Sequence, residues 1–196
     1  ETLAAINEHT RFKAAGMGLP FLPVRSMLGT DTFNYSAAKE IECPFTGQKL
    51  CALPALTLDV GLIHVHRCDE FGNAQIDGIS GFAMEMARAS KRLIISTEEI
   101  VPHEEIARYP ERTLIPYYIV DAVVQAPGGA LPGEMPYVYW RDEEHMKLYF
   151  DNAKDAEGVE KYVDEWVRGT KDQAQFVERI GGEKKMAELR ELATRR

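Results

Sequence analysis

Long hydrophobic runs are missing from this chain. A bilayer-spanning helix needs about 20 consecutive apolar residues. Here the longest apolar stretches are broken by Pro54, Asp59, Asp121 and Pro127, and no signal-peptide pattern is visible. Clusters of positive charge are missing too. Before the C-terminus Lys and Arg occur at most in pairs, and the net charge is -8. That balance argues against nucleic acid or an anionic membrane surface as partner. Cysteine is scarce. Cys43, Cys51 and Cys68 are odd in number and loosely spaced, which suits a reducing cytoplasm better than a disulfide scaffold. There is no internal repeat, no low-complexity tract, and no glycine spacing of a dinucleotide fingerprint or phosphate loop.

What remains is an ordinary globular composition. The 196 residues, 45% hydrophobic and 28% charged, suffice for one domain-sized core. The chain opens on Glu1, with a helical pattern already under way over 2–16 and Leu3, Ile6 and Phe12 on its apolar face. Residues 21–27 are extended, because a residue before proline is held out of the α region. Residues 29–35 form a loop, and a turn over 45–48 leads into a strand at 49–53. The clearest strand is 60–68, followed by a turn built on Asp69, Gly72 and Asn73. A helix over 80–90 takes Ser80 as its N-cap, and 92–97 is an apolar strand of the kind buried on both faces. A further strand covers 119–124. Helices follow over 143–152, 158–169, 172–180 and 183–195. The class is α/β, a largely parallel sheet with flanking helices and a helical C-terminal tail. The division expected is an α/β part over 1–135 and a helical extension of the same domain over 136–196.

Several residues carry chemistry. Arg25 sits in GLPFLPVRSMLGTD among prolines, glycines and apolar residues. An unpaired guanidinium is costly to bury, so it needs an anionic partner, of a ligand or of the chain itself. Pro127, Gly128 and Gly129 follow a strand, where glycine either lets backbone approach a ligand or simply makes a turn. His64, His66 and Cys68 alternate along one strand and share a face. They are zinc-ligand types, though hydrogen-bonded histidines on a semi-polar face are the simpler reading. Glu98 and Glu99 end a strand, with Glu104 and Glu105 close behind. Ligands of open α/β sheets bind beyond the carboxyl ends of strands, where a desolvated carboxylate acts as nucleophile or base. Sequence alone favours charges in the first turn of a helix.

Together the segments GLPFLPVRSMLGTD, CPFTGQKLCALPAL, VGLIHVHRCDEFGNAQIDGI, RLIISTEEIV and IPYYIVDAVVQAPGGALPG resemble, in this order, the A-type component of family I CoA-transferases of the glutaconate CoA-transferase type. The resemblance implies a lobe of the CoA-transferase superfamily fold, paired with a homologous B-type component in an A2B2 heterotetramer of the cytoplasm. It implies CoA transfer from an acyl-CoA to a free carboxylic acid through an enzyme-bound anhydride and a glutamyl-CoA thioester. Coenzyme A is then a substrate, and no cofactor or metal is needed. The nucleophilic glutamate belongs to the B-type component, so no catalytic residue is expected in this chain; Arg25, Ser26, Gly128 and Gly129 are the expected substrate-binding residues. The family's G-x-G-G-F-type turn is not found, and the N-terminal part of an A-type component is expected to be missing. Some members act instead as hydrolases on a CoA-linked ring carboxylic acid and keep the PFLP-x-R segment. The glutaconate type is expected to lack an arginine at the position of Arg25, which raises that alternative. A non-catalytic binding lobe is the remaining reading from another class.

Overall fold

The computed structural model describes residues 2–195, with side chains from Glu8 onward. In chain order the elements are α1 (Thr2–Gly16), β1 (Phe21–Val24), α2 (Asp31–Asn34), β2 (Lys39–Glu42), β3 (Lys49–Pro54), β4 (Gly61–Cys68), β5 (Ala74–Gln75), α3 (Ala83–Ala89), β6 (Leu93–Ile100), α4 (His103–Ala107), β7 (Thr113–Ile115) and β8 (Ala122–Gln125). The tail then holds α5 (Glu143–Asn152), α6 (Ala156–Tyr162) running into a π-helical segment (Val163–Arg168), α7 (Gln173–Arg179) and α8 (Gly182–Thr194). Two compact units divide the chain. The first comprises Glu1–Ile63, Ser80–Ile94 and Ile115–Ala122; the second comprises His64–Ile79, Ile95–Leu114 and Val123–Arg196.

In the first unit α1 packs on α3. The two helices approach so closely that a Cβ on Gly16 would lie 2.9 Å from the Cβ of Arg88. Phe12 is buried, as its helical spacing implies; Leu3 and Ile6 lie outside the described side chains. An antiparallel sheet of order β1-β3-β2 completes the unit, with Phe21 opposite Pro54 and Glu42 opposite Lys49. Strand β2 has only half-buried Ile41 on an otherwise exposed edge, so it leaves no apolar pattern in the sequence. Pairing is enforced by the turn, where Cys43 N–H donates to Gln48 O and Gly47 takes a left-handed φ of 67°. Met27, Cys51 and Leu53 form the apolar cluster beneath. Residues expected to be loop contain the single turn α2, because the Thr30 hydroxyl caps Phe33 N–H at 3.3 Å. Ser80 does not cap α3: its carbonyl accepts from Ala83 N–H, and Phe82 stands at the cap position.

A five-stranded sheet of order β7-β5-β4-β6-β8 runs mainly through the second unit. Gly61 N–H donates to Arg92 O at one end of the β4–β6 pair, and Val101 N–H to Cys68 O at the other. The two strands therefore run parallel. Asp121 N–H to Leu93 O and Ala126 N–H to Thr97 O make β8 parallel to β6 by the same reasoning. The expected parallel core and β4–α3–β6 crossover are present. The sheets are mixed rather than parallel throughout, since β5 pairs antiparallel with β4 and β1 to β3 form a separate antiparallel sheet. Strand β6 also differs from expectation. Leu93, Ile95 and Thr97 are buried, but Ile94, Ser96 and Glu98 on the opposite face are only half-buried. That open face becomes the site.

The helical tail of the second unit encloses Tyr139, Met135, Met186 and Leu189. It also buries His145, whose ring meets Trp166 edge-on at 4.4 Å and Phe176 at 5.4 Å, with Nε2 2.8 Å from the Tyr162 hydroxyl. Burial pushes this imidazole below its ordinary 6.5, against the weaker pull of Asp142 and Glu165. The unfolded chain then binds more protons just below pH 6.5. Stability is fully present above 6.5 and falls as pH drops from there toward the folded value. The His145→Gln variant is expected to lose that slope; urea midpoints of both proteins across about pH 5 to 7.5 test it.

Candidate functional site

Side chains on alternate strand positions share a face. Ser96 and Glu98 of β6 therefore point the same way, and His64 of the neighbouring β4 meets both. Its Nδ1 lies 2.9 Å from Ser96 Oγ and its Nε2 2.7 Å from Glu98 Oε1. The Tyr139 hydroxyl donates to the same Oε1 at 2.6 Å, and Gly128 N–H donates to Oε2 at 2.9 Å. Tyr139 Oη in turn accepts Ala130 N–H at 3.0 Å. Gln173 Nε2, at the start of α7, donates to Gly128 O at 2.7 Å. All of these residues belong to the second unit.

Electrostatics follow from this donor set. Burial alone raises the Glu98 carboxyl, but the donors His64, Tyr139 and Gly128 N–H outweigh it and hold the group below its ordinary range. Tyr139 moves the other way: burial and then the Glu98 charge push its phenol far above the usual value, so it stays a donor. Glu98, Gly128, Tyr139 and Gln173 of this ensemble line a cleft of about 570 Å³, together with Val177, Met186 and Arg190. A carboxylate with both oxygens engaged is a poor nucleophile. What it does well is fix the loop after β8.

Two glycines of that loop have distinct reasons to be glycine. Gly128 has φ 76°, a region that side chains disfavour. Gly129 has no such φ, but a Cβ there would lie 2.6 Å from His64 Cε1. Arg25 and Ser26, the other two expected binding residues, lie in the first unit, in the bend after β1. Arg25 is exposed, and among the described residues it has no ion-pair or hydrogen-bond partner. The internal ion pair that its sequence setting allowed is thus not formed there. Glu98 is not a first-turn helix charge, contrary to the simpler sequence reading. Glu104 and Glu105 are, at the start of α4, while Glu99 is exposed.

The three zinc-type residues of β4 go separate ways. His66 Nε2 donates to Pro136 O at 2.8 Å and its Nδ1 accepts Asp77 N–H at 3.1 Å, so both ring nitrogens are used. Cys68 is buried, and burial raises its thiol. Among the described residues no group of three His, Cys, Asp or Glu is arranged to hold a metal ion. The turn at Asp69 is a second satisfied carboxylate. Its Oδ1 accepts Phe71 and Asn73 N–H, and its Oδ2 accepts from the Asn73 amide and His103 Nδ1.

The sequence and the α/β architecture match a known family. The Coenzyme A transferase model covers residues 4–126, and the chain belongs to that family. It is 35% identical to the A-type component of 3-oxoadipate CoA-transferase from Pseudomonas knackmussii over 89% of this chain and 64% of that protein. It is 35% identical to the A-type component of glutaconate CoA-transferase from Acidaminococcus fermentans over 86% of this chain and 58% of that one. The crystal structure of the latter enzyme superposes with a TM-score of 0.87 at 32% identity, covering 92% of this chain and 62% of that chain. The IpdA component of a cholesterol ring-cleaving hydrolase of Mycobacterium tuberculosis is 33% identical over 81% of this chain and 58% of that protein. The chain spans between 41% and 64% of the length of such relatives. Among the described residues no helix is long and apolar enough to cross a membrane.

Proposed function

We propose that this chain is the A-type component of a CoA-transferase, active only with a homologous B-type component, that moves CoA between an acyl-CoA and a free carboxylic acid. The observation that carries this reading is the likeness to glutaconate CoA-transferase at a TM-score of 0.87 over 92% of the chain. The state of Glu98 supports placing the nucleophile in the partner. With three donors on its oxygens and its proton affinity lowered, it makes a weak nucleophile, whereas covalent carboxylate catalysis needs a free one. In this reading coenzyme A enters as substrate, no further cofactor takes part, and the assembly is an A2B2 heterotetramer of the cytoplasm. Residues 1–135 then belong to the α/β domain of the A-type component and 136–196 to its helical extension.

Within that reading Gly128 and Gly129 bring backbone to the substrate, Ser26 borders it, and Arg25 holds a substrate carboxylate. The lack of an internal partner for Arg25 among the described residues is what supports a ligand for it, since a bidentate guanidinium–carboxylate pair both orients and neutralises an acid. In the co-expressed A/B complex, Arg25→Ala is expected to raise KM for the acid about tenfold or more while the melting temperature stays put. Unchanged acid kinetics would remove Arg25 from the site.

Hydrolysis is the second reading, favoured by the 33% identity to a component of a ring-cleaving hydrolase. Incubating the complex with acyl-CoA, a labelled acceptor acid and borohydride separates the two. Transfer labels the CoA ester, and borohydride reduces the glutamyl-CoA thioester on the B-type component and stops turnover. Hydrolysis yields free CoA or a ring-opened product, no labelled ester, and no borohydride sensitivity.

A further inference from the structure

We propose that His64 is a positioning residue whose tautomer is fixed by Glu98 and matched by Ser96, and which, with Glu98, sets the loop Gly128–Ala130 beside the cleft. The significance for turnover rests on the CoA-transfer reading; the geometry stands by itself.

The proton positions follow from elimination. An ionised carboxylate only accepts hydrogen bonds, so His64 Nε2, 2.7 Å from Glu98 Oε1, carries a proton. In the neutral ring Nδ1 is then a lone pair, and the Ser96 hydroxyl at 2.9 Å must donate to it. Glu98 thus specifies the tautomer, and Ser96 satisfies the lone pair that this leaves on Nδ1. The alternative would set a lone pair against Glu98 and loosen the carboxylate.

Three consecutive loop residues depend on the result. Gly128 N–H ends on Glu98 Oε2. Gly129 rests against the imidazole, at a distance that leaves no room for a methyl group. Ala130 N–H ends on the Tyr139 hydroxyl, which itself donates to Glu98 Oε1. Ser96, His64 and Glu98 thus behave as a chain of second contacts that holds a backbone segment still.

The test uses the full A/B complex with His64→Ala, His64→Gln and Ser96→Ala. His64→Ala is expected to lower kcat about tenfold to a hundredfold with KM nearly unchanged, the scale of a small misplacement of reacting groups. His64→Gln, whose amide N–H reaches toward Glu98, is expected to recover most of that loss. Two readouts do not depend on turnover. Imidazole nitrogen shifts should report the Nε2–H form in the wild type and, because Glu98 remains, in Ser96→Ala as well. Amide hydrogen exchange at Gly128 and Ala130 should quicken at least about tenfold in His64→Ala relative to distant amides. Unchanged loop exchange in His64→Ala, or an Nδ1–H tautomer in the wild type, overturns the proposal. A lowered melting temperature with wild-type kcat does so as well. A wild-type complex that transfers no CoA counts against the functional reading instead, while exchange and tautomer still decide the relay.

Discussion

Glu98→Ala is expected to be among the most damaging single substitutions in this chain. Three donors converge on that carboxylate, from His64, Tyr139 and the Gly128 backbone. Truncation leaves all three facing an empty space. Leaving a buried donor unsatisfied costs about 1–3 kcal/mol. Because Glu98 borders the cleft, water fills part of the gap, and about 3 kcal/mol is the figure to expect. Activity of the complex should fall further than stability suggests, since the loop after β8 loses its anchor. Glu98→Gln makes a graded comparison. Its oxygen still accepts from His64 and Tyr139, but its amide opposes Gly128 N–H, so loop exchange should rise while the fold is largely kept.

The pH dependence of that difference has a definite sign. The folded carboxyl lies below its ordinary 4.5, so its contribution is fully present above 4.5 and disappears as pH falls through the folded value. The stability gap between wild type and Glu98→Gln should therefore be constant near neutrality and narrow only below about pH 4.5. Chemical denaturation at stepped pH measures it. A gap that narrows already between pH 7 and 5 would mean that Glu98 is not the ionised, low-affinity carboxylate described above.

Much of the architecture was legible because it rests on local patterns. The strand at Gly61–Cys68 and the helices of the tail announce themselves through apolar spacing, and the ordered segments around Arg25 and Pro127 resemble one family. Strand β2 was not legible. Its pairing comes from the turn at Gly47 and from β3, not from its own side chains. The site was half legible. Gly128 and Gly129 could be picked out as a place where backbone approaches something, but that something is first of all His64 and Glu98 of the same chain. The alternation of Ser96 and Glu98 placed them on one face. Nothing in the sequence tied them to Tyr139, 41 residues from Glu98. That link exists only because the segment after the β8 loop folds back beneath Ala130, and contacts at such separation leave no periodic trace. The pull of the first-turn reading on Glu98 was a matter of neighbours: Glu104 and Glu105 do open a helix, and Glu98 sits one element too early to join them.

Gly129→Ala should fail for steric reasons alone. The added methyl carbon would stand 2.6 Å from His64 Cε1, 2.9 Å from its Nδ1 and 2.8 Å from Ala126 O. Contacts that short require something to move. The ring is held at both nitrogens by Ser96 and Glu98, and the Ala126 carbonyl already accepts Gly129's own N–H at 2.9 Å. Neither yields easily, so the cost should reach the upper part of the 1–3 kcal/mol range seen for overpacked sites, about 2–3 kcal/mol. Loop exchange should rise with it. Gly128→Ala would be harmful for another reason, its left-handed φ of 76°, and removing a neighbouring side chain should not relieve it. That contrast supplies the decisive measurement. In a double-mutant cycle, His64→Ala should recover about 1 kcal/mol of the Gly129→Ala cost and none of the Gly128→Ala cost. Strict additivity at Gly129 would show that the imidazole does not support the loop, and that the carboxylate alone holds it.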